Sequence, residues 1–290
     1  INVLTFQQNS GITSLTRGGA ATGLAAETST NWSIGAVVQP KFSETVSVSL
    51  ALDYFDIKVK DGVSALGGAT IINRCYNEPD FDPTGGFCRF VTRDGNNVIT
   101  VTSGFVNLST DVVKGFEFTG RVATDLLGGR LTLNANVTKY AEQSDKVFAE
   151  EFLLDANGTL NNPDWVGSFD AIYRNGPVTF RYGLEWSDSS SGTYAFFATS
   201  RQTGMVDPVV EQGFRDDFRL EVKDYFLHSA SIQFDIADNY EMTVGVRNLF
   251  DTDPPFAITY DGNTGAGSSW EPRVADPRGR SFTVSAEVRF

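Results

Sequence analysis

A two-residue alternation of apolar and polar side chains recurs along this 290-residue chain. In the closing segment, RSFTVSAEVRF, the even-numbered residues from Phe282 to Phe290 are apolar and the odd-numbered residues are polar. Because successive side chains point to opposite faces of a β-strand, this spacing predicts a strand with one apolar and one polar face. Such a strand suits a soluble sandwich, whose core takes the apolar face, or a membrane barrel, whose apolar face meets lipid.

Eight earlier segments carry the same alternation. They are NWSIGAVVQ (31–39), TVSVSLALDY (45–54), KGFEFTGRVA (114–123), LTLNANV (131–137), WVGSFDAIYR (165–174), VTFRYGLEW (178–186), HSASIQFDI (228–236) and YEMTVGVR (240–247). We therefore predict about nine strands, and no segment with a helical period. The sequence contains no run of 18 or more apolar residues, so a transmembrane helix is not expected.

The connections between these segments sort by length. The short links DLLGG, RNGP and IADN alternate with long stretches at about 61–110, 142–164, 187–223 and 251–278. Outer-membrane barrels have this arrangement, with short periplasmic turns and long extracellular loops, whereas a soluble sandwich has no reason to sort its loops. We expect the loops that contain Asp80, Asn157, Gly204 and Gly262 to face outside the cell, and RNGP and IADN to face the periplasm.

The two predicted faces also differ as a barrel requires. The candidate lumen-facing or plug-facing residues are Glu117, Arg121, Asp170, Arg181, Glu185 and Arg247. Buried unpaired ions would each cost several kcal/mol, so this face must be wet or paired. These ions could contact a plug inside the barrel, pair with one another between strands, or do both. Aromatic residues lie near strand ends on the apolar side, as in the girdles of membrane barrels: Trp32, Tyr54, Trp165, Tyr173, Trp186 and Tyr240.

Charge and cysteine content narrow the possible partners. The net charge of −13 argues against nucleic acid, whose phosphates require a basic face. Cys75 and Cys88 enclose the turn-rich stretch YNEPDFDPTGGF. In an exported protein such a pair predicts a loop-closing disulfide, with two free thiols as the alternative. Because no histidine lies near them, the two thiols would make a poor metal site.

Several motifs, in this order, make the chain similar to a TonB-dependent outer-membrane receptor. ETSTNWSIGAVV (27–38), LDYFDIKVKDGV (52–63) and KGFEFTG (114–120) resemble that family's mid-barrel pattern. VRNLFDTDPPF (246–256) and DPRGRSFTVSAEVRF (276–290) resemble its end, and the cysteine pair after IIN resembles a loop disulfide common among its members. In such proteins a closing strand that ends on an aromatic residue is also similar to the signal that the barrel-assembly machinery reads.

The resemblance implies an all-β, antiparallel transmembrane barrel of about 22 strands in the bacterial outer membrane, plugged by an N-terminal globular domain. Such a receptor imports a scarce nutrient with energy transmitted by TonB. We expect residues 29–290 to supply about its last nine strands and residues 1–28 to form an extracellular loop. The partners would be the remaining N-terminal barrel and plug, the TonB complex through that segment, outer-membrane lipid and a small nutrient. A small passive porin or anchor barrel is the alternative if the chain is complete.

No catalytic, cofactor or metal site is expected. The single histidine, His228, has no serine or cysteine motif around it, which argues against an outer-membrane hydrolase and favours a packing or girdle role. The acidic stretches NEPDFDP and DTDPPF lack the spacing of a known calcium loop, so we interpret them as solvated loop acids.

The long loops carry the candidate ligand contacts. Their aromatic residues are Phe81, Phe87, Tyr194, Phe196, Phe197, Phe256, Tyr260 and Trp270. Aromatic faces stack on sugars and on apolar ligands, although packing of the rings on one another would explain them equally well. The loops hold more acids than bases, which disfavours a strongly anionic ferric chelate. We therefore predict an oligosaccharide as the ligand, with a neutral siderophore or a cobalamin-like molecule as the alternative.

Overall fold

The computed structural model describes residues 13–17, 24–77, 82–93, 99–148, 153–158, 162–188, 190–191, 221–237, 239–253 and 278–288. Within these ranges most residues lie in β-strands, joined by one α-helix and one 3-10 helix. The strands are β1 Thr13–Arg17, β2 Thr28–Val38, β3 Val46–Leu66, β4 Val91–Arg93, β5 Ile99–Leu126, β6 Gly129–Lys146, β7 Leu154–Asp155, β8 Trp165–Asn175, β9 Val178–Ser187, β10 Ser190–Ser191, β11 Glu221–Val222, β12 Tyr225–Ala237, β13 Tyr240–Arg247 and β14 Ser281–Val288.

One sheet contains most of these strands. Its main path runs β14-β13-β12-β9-β8-β6-β5-β3-β2, and β1, β4 and β7 pair with its members to the side. The nine strands of the path correspond to the nine alternating segments, so the strand prediction is confirmed. β10 and β11 form a separate antiparallel pair. Among the described residues, β2 and β14 each pair on one side only and are the two edges of the path.

The register keeps apolar residues beside apolar residues. Phe180 of β9 lies opposite Tyr173 of β8 and Ile232 of β12, and the row continues through Val244 to Val284. A register slip of one residue would turn a whole strand over, so the shared parity of five strands fixes both faces of the sheet.

The apolar face of the sheet is open. Ile34, Phe282 and Val284 are 67%, 74% and 68% exposed, whereas a soluble sandwich would bury such residues in its core. A soluble monomer rarely leaves so much contiguous apolar surface uncovered, but the lipid-facing side of a membrane barrel does.

Aromatic rings meet on this face near one end of the strands. Tyr54 contacts Trp32 and Phe116, with ring centroids 5.1 Å apart in each pair. Trp186 lies 6.5 Å from Trp165 and stacks on Phe226 at 6.3 Å. Tilted and offset geometries such as these are the favoured ones for aromatic pairs, and they link side chains of neighbouring strands.

The chain divides into two compact units, and the smaller consists of residues 1–30, 58–111 and 146–151. Its core is a cluster of buried side chains contributed by Leu66, Ile71, Val101 and Phe148. Helix α1 (Gly68–Asn77) and the 3-10 helix (Gly86–Phe90) lie beside this cluster. Cys75 and Cys88 join the two helices through a buried disulfide, which confirms the predicted bridge.

A short turn precedes the 3-10 helix. The Asp82 carboxylate accepts hydrogen bonds from the backbone amide of Thr84 at 2.9 Å and from its hydroxyl at 2.8 Å. The hydrogen bond from the Thr84 backbone amide is the main reason that the pKa of Asp82 is lowered from its ordinary value. This turn brings the chain back so that Cys88 can reach Cys75.

Helix α1 contradicts the expectation that no segment is helical. Ile71 and Cys75 stand four residues apart and are both buried, which is the spacing of one helix face. The helix has only ten residues, and its turn-rich surroundings conceal the pattern. β1 is also unexpected, because residues 13–17 fall in the segment predicted as a loop. They pair in parallel with residues 100–104 of β5 and do not join the main path.

β3 and β5 are longer than the sequence predicts. They run for 21 and 28 residues, whereas a membrane-spanning strand needs about 9–11. Only residues 45–54 and 114–123 show the alternation from which these strands were predicted. The additional residues of β3 beyond Ile57, and those of β5 up to Asp111, belong to the smaller unit.

Tyr173 of β8 fastens the two-residue turn between β5 and β6. Its hydroxyl lies 3.2 Å from the carbonyl oxygens of both Leu126 and Leu127. Its ring lies over Gly129, where an added Cβ would come within 2.8 Å of the ring. Glycine at this position therefore leaves the space that the ring fills.

In the part of the chain that is described, no helix has both the length and the apolar character needed to cross a membrane.

Replacing both Cys75 and Cys88 by serine should loosen the smaller unit. The bridge closes a loop between residues 13 positions apart, and the chain-entropy model assigns about 3 kcal/mol to a loop of this size. Hydrogen exchange of the α1 amides should then become about 100-fold faster. The reduced wild-type protein should behave in the same way, and unchanged protection in both samples would contradict the prediction.

Tyr173→Phe should lower the free energy of unfolding of the barrel by about 1 kcal/mol, because it removes the hydroxyl that bonds to the turn. Tyr240→Phe is the matched control, since the described structure gives the Tyr240 hydroxyl no hydrogen bond and the residue lies near the same end of the strands. Urea unfolding followed by heat-modifiable gel mobility would measure both variants. Equal midpoints for the two would show that the Tyr173 hydroxyl has no such role.

Candidate lumenal site

The polar face of the larger unit carries most of the predicted lumenal residues. One row of the register runs across six strands with mainly polar or small side chains: Asn134, Asp170, Gly183, Ser229, Arg247 and Ser281. The adjacent row brings Arg181 opposite Ser231. Charged groups are thus interspersed with small side chains, which leaves room for the long arginines to lie along the sheet.

Asp170 and Arg181 form the closest ion pair of the predicted set. The Arg181 Nε donates to the Asp170 Oδ1 at 2.7 Å, and a guanidinium Nη2 lies at the same distance. Gly183 stands directly opposite Asp170, where an added Cβ would lie 3.4 Å from the carboxylate oxygen. The small residue on β9 therefore leaves the carboxylate accessible to the arginine.

Two further ion pairs reach across an intervening strand. Arg247 of β13 lies 3.4 Å from Glu185 of β9, diagonally across β12, where Ser229 stands opposite Arg247 and Leu227 opposite Glu185. Arg174 of β8 lies 2.9 Å from Asp235 of β12, past β9. In the chain alone such exposed pairs contribute only about 0–1 kcal/mol each, because water screens them. Their alternating signs give the face a local charge pattern with little net charge.

A polar cleft of about 280 Å³ lies among these groups. Arg181, Glu185 and Arg247 line it, together with the hydroxyls of Ser229 and Thr283. The structure therefore brings Arg181, Glu185 and Arg247 together around this cleft, with Asp170 paired to Arg181. A surface of this kind can donate and accept hydrogen bonds and can pair with charges of either sign.

The other two predicted lumenal residues stand apart from that cluster. Glu117 and Arg121 are exposed on β5, and neither forms an ion pair with any residue that the structure describes. Between them, the Thr119 hydroxyl donates to the Asn136 side chain of β6 at 3.2 Å. Their contact with a plug stays a prediction.

Only one of the candidate loop aromatics lies within the described residues. Phe87 is half-buried in the smaller unit, with its ring edge-on to Phe148 at 5.4 Å. This packing accounts for Phe87 without a ligand, so its binding role stays a prediction. Phe81, Tyr194, Phe196, Phe197, Phe256, Tyr260 and Trp270 lie outside the described residues.

His228 lies in an aromatic contact. Its Nδ1 is 2.6 Å from the Tyr182 hydroxyl, and the Phe250 ring meets the imidazole edge-on at 4.7 Å. Tyr182 and Leu184, which stands opposite His228, belong to the apolar face. These contacts describe packing, and the described part of the chain holds no cluster of three or more metal-ligating side chains.

Sequence reasoning missed an aromatic pair on the polar face. Phe55 and Tyr140 lie with ring centroids 6.2 Å apart, edge to face. Phe55 directly follows Tyr54, whose ring contacts Trp32 on the apolar face. Tyr140 directly follows Lys139, whose amine lies over the Trp165 ring on that same face. Parity alone could have placed both rings on the polar side, but it could not bring β3 and β6 together across β5.

Comparisons with known proteins agree with this geometry. The family described as "TonB dependent receptor-like, beta-barrel" matches residues 3–249. No curated protein sequence matches the chain.

Solved structures share the fold. The chain is similar to the outer membrane transporter YddB from Escherichia coli at 11% identity and a TM-score of 0.58, covering 98% of this chain and 35% of that one. It is also similar to a mutant of the ferric enterobactin receptor PfeA from Pseudomonas aeruginosa at 17% identity and a TM-score of 0.56, covering 92% and 31%. The chain thus spans about a third of the length of these structures. From the match over most of its length, the chain belongs to the TonB dependent receptor-like β-barrel family.

Proposed function

We propose that this chain supplies part of the barrel of an outer-membrane receptor that imports a scarce nutrient with energy transmitted by TonB. Membership of the family places the strands in the outer membrane as an antiparallel β-barrel. The observation that supports transport most directly is the polar face, where ion pairs of alternating sign line a cleft opposite the open apolar face. A passive surface anchor would not need such a face.

The partners follow from the same surface. We propose that the remaining N-terminal barrel strands pair with the edges β2 and β14, and that a plug domain contacts the lumenal ion pairs. TonB would act through that N-terminal segment. The alternating signs of Asp170, Arg181, Glu185 and Arg247 suit a globular plug with mixed surface charge better than a ligand of one sign.

For the ligand, we propose a neutral oligosaccharide. The long connections are rich in aromatic residues and acids, and the described polar face has balanced charge, so neither favours a strongly anionic chelate. The receptor would be a transporter with no enzymatic step of its own.

A siderophore is the second candidate. The likeness in fold to a ferric enterobactin receptor supports it, and so does the packing of Phe87, which removes one aromatic ring from the set available to sugars. The smaller unit also presents Arg89 and Arg93 at its exposed surface, where an anionic chelate could bind.

Uptake by cells that express the complete receptor gene tests the function. Cells with TonB should accumulate labelled oligosaccharide, and cells that lack TonB should not. Uptake of a ferric siderophore in its place would support the second candidate. Equal diffusion of small solutes with and without TonB would contradict both and favour a passive porin.

Cysteine labelling tests the proposed orientation. Two positions suit single added cysteines. Leu153, beside β7, lies in a long connection, and Asn239, in the turn between β12 and β13, lies in a short one. In whole cells a membrane-impermeant maleimide should label Leu153→Cys and should not label Asn239→Cys until the outer membrane is permeabilised. Labelling in the reverse order would show that the long connections face the periplasm.

Charge reversal tests the contact with the plug. Arg181→Glu should change the free energy of unfolding of the barrel by less than about 1 kcal/mol, because the ion pair is exposed in the chain alone. TonB-dependent uptake should fall at least about 30-fold if a docked plug buries the pair, since loss of a buried charge partner costs at least about 2 kcal/mol.

The double variant Asp170→Arg with Arg181→Asp is the matched control, because it keeps the pair and reverses its direction. Uptake restored to the wild-type rate would mean that the pair serves the sheet alone. Uptake that stays low would support a contact with a third, charged group on the plug.

A further inference from the structure

The aromatic pair Phe55–Tyr140 is the feature of the polar face that ion pairing does not explain. Both rings belong to the larger unit and are partly exposed. Rings on the other face of the same strands contact one another along the apolar surface, as Tyr54 does with Trp32 and Phe116. Phe55 and Tyr140 are therefore aromatic side chains on the side where water and solutes, and not lipid, have access.

The backbone is shaped to hold this pair. Gly115 of β5 lies beneath the Phe55 ring, and an added Cβ there would come within 2.8 Å of the ring and 2.4 Å of the Lys139 carbonyl oxygen. Any side chain at position 115 would displace the ring or the strand. The intervening strand thus lacks a side chain where rings from two non-adjacent strands meet.

Tyr140 is fixed from both sides through its main chain. Its amide donates to the Asp164 carbonyl oxygen at 2.8 Å, and its carbonyl oxygen accepts from the Asn157 side chain at 2.9 Å. The phenol hydroxyl, in contrast, forms no hydrogen bond with any residue that the structure describes. A ring on a strand held in place in this way, with a hydroxyl able to donate or accept, is suited to binding a polar molecule.

Lys114, next to Gly115 along β5, pairs with an acidic side chain of β6. Glu142, two residues beyond Tyr140, accepts a hydrogen bond from the Ser144 hydroxyl at 2.9 Å and forms an ion pair with Lys114 at 2.8 Å. Lys114 therefore has a carboxylate partner. Hydrogen-bonding groups thus stand beside the ring faces along the same strands.

We propose that Phe55 and Tyr140 form a subsite on the lumenal face that stacks against a sugar ring of a neutral oligosaccharide, with the Tyr140 hydroxyl bonding to a sugar hydroxyl. A sugar ring presents an apolar C–H face and polar hydroxyls at its rim, which matches ring faces bordered by polar groups. The inference rests on the proposed transport function, because the ligand must enter the barrel to reach these rings.

Binding of defined oligosaccharides to the purified full-length receptor tests the subsite. The probes are maltohexaose, xylohexaose and laminarihexaose, measured by isothermal titration calorimetry. At least one should bind the wild type, and Phe55→Leu and Tyr140→Leu should each raise its Kd about tenfold. Tyr140→Phe keeps the ring and should raise Kd by less than Tyr140→Leu does.

The control removes a ring from the other face. Phe180→Leu deletes an exposed aromatic side chain of the apolar side and should leave Kd unchanged. Thermal transitions of all variants should match that of the wild type, since leucine keeps apolar bulk above Gly115.

Three results would overturn the proposal. They are failure of all three sugars to bind the wild type, equal Kd in the leucine variants and the wild type, and a Kd increase that accompanies a lower thermal transition or loss of the plug. The last would mean that the rings pack against the plug. If TonB-dependent uptake of another nutrient persisted unchanged in the leucine variants, the transport function would stand while this subsite would be rejected.

Discussion

Backbone hydrogen bonding is the constraint on which the rest of this structure depends. In hydrocarbon every main-chain N–H and C=O must find a partner within the protein, since each unsatisfied group costs several kcal/mol. Among the described residues, each strand of the main path has a partner on both sides except β2 and β14. Those two edges are where we propose that neighbouring strands of the whole barrel pair, because only a closed sheet leaves no edge in lipid.

Once backbone hydrogen bonds hold the strands together, the side chains of one face are exposed to lipid and those of the other face to water. The register keeps the rows apart, so that Phe180, Tyr173 and Ile232 face one side while Arg181 and Asp170 face the other. Small residues then decide which long side chains can meet. Gly115 lets Phe55 meet Tyr140 across β5, and Gly183 leaves the Asp170 carboxylate accessible to Arg181. The lumenal chemistry is therefore set as much by missing side chains as by those present.

The sequence predicted much of this fold because a strand with one apolar and one polar face requires a regular two-residue alternation of side chains. Every second residue of β14 is apolar, and the same parity recurs in all nine strands of the path. The disulfide was predictable for a different reason, since two cysteines in a turn-rich connection of an exported protein have few other uses. The sequence did not predict helix α1, because ten residues form fewer than three helical turns, which is too short for a clear helical period. The candidate ligand aromatics were chosen from loops by composition, and Phe87 shows that composition cannot separate a ring that packs from a ring that binds.

What the sequence by itself determined is which residues share a face, because parity along a strand is local and needs no partner. It also determined which connections are short and which are long. Only the tertiary structure decided which side chains contact one another across strands. Arg174 pairs with Asp235, the Tyr173 hydroxyl bonds to the turn at Leu126 and Leu127, and Phe55 lies beside Tyr140. The physical reason is that pairing between strands depends on register and on the width of the strand between. A period of two fixes the face of the sheet on which each residue lies. It leaves the register open, because a shift of two residues between neighbouring strands keeps every side chain on the same face.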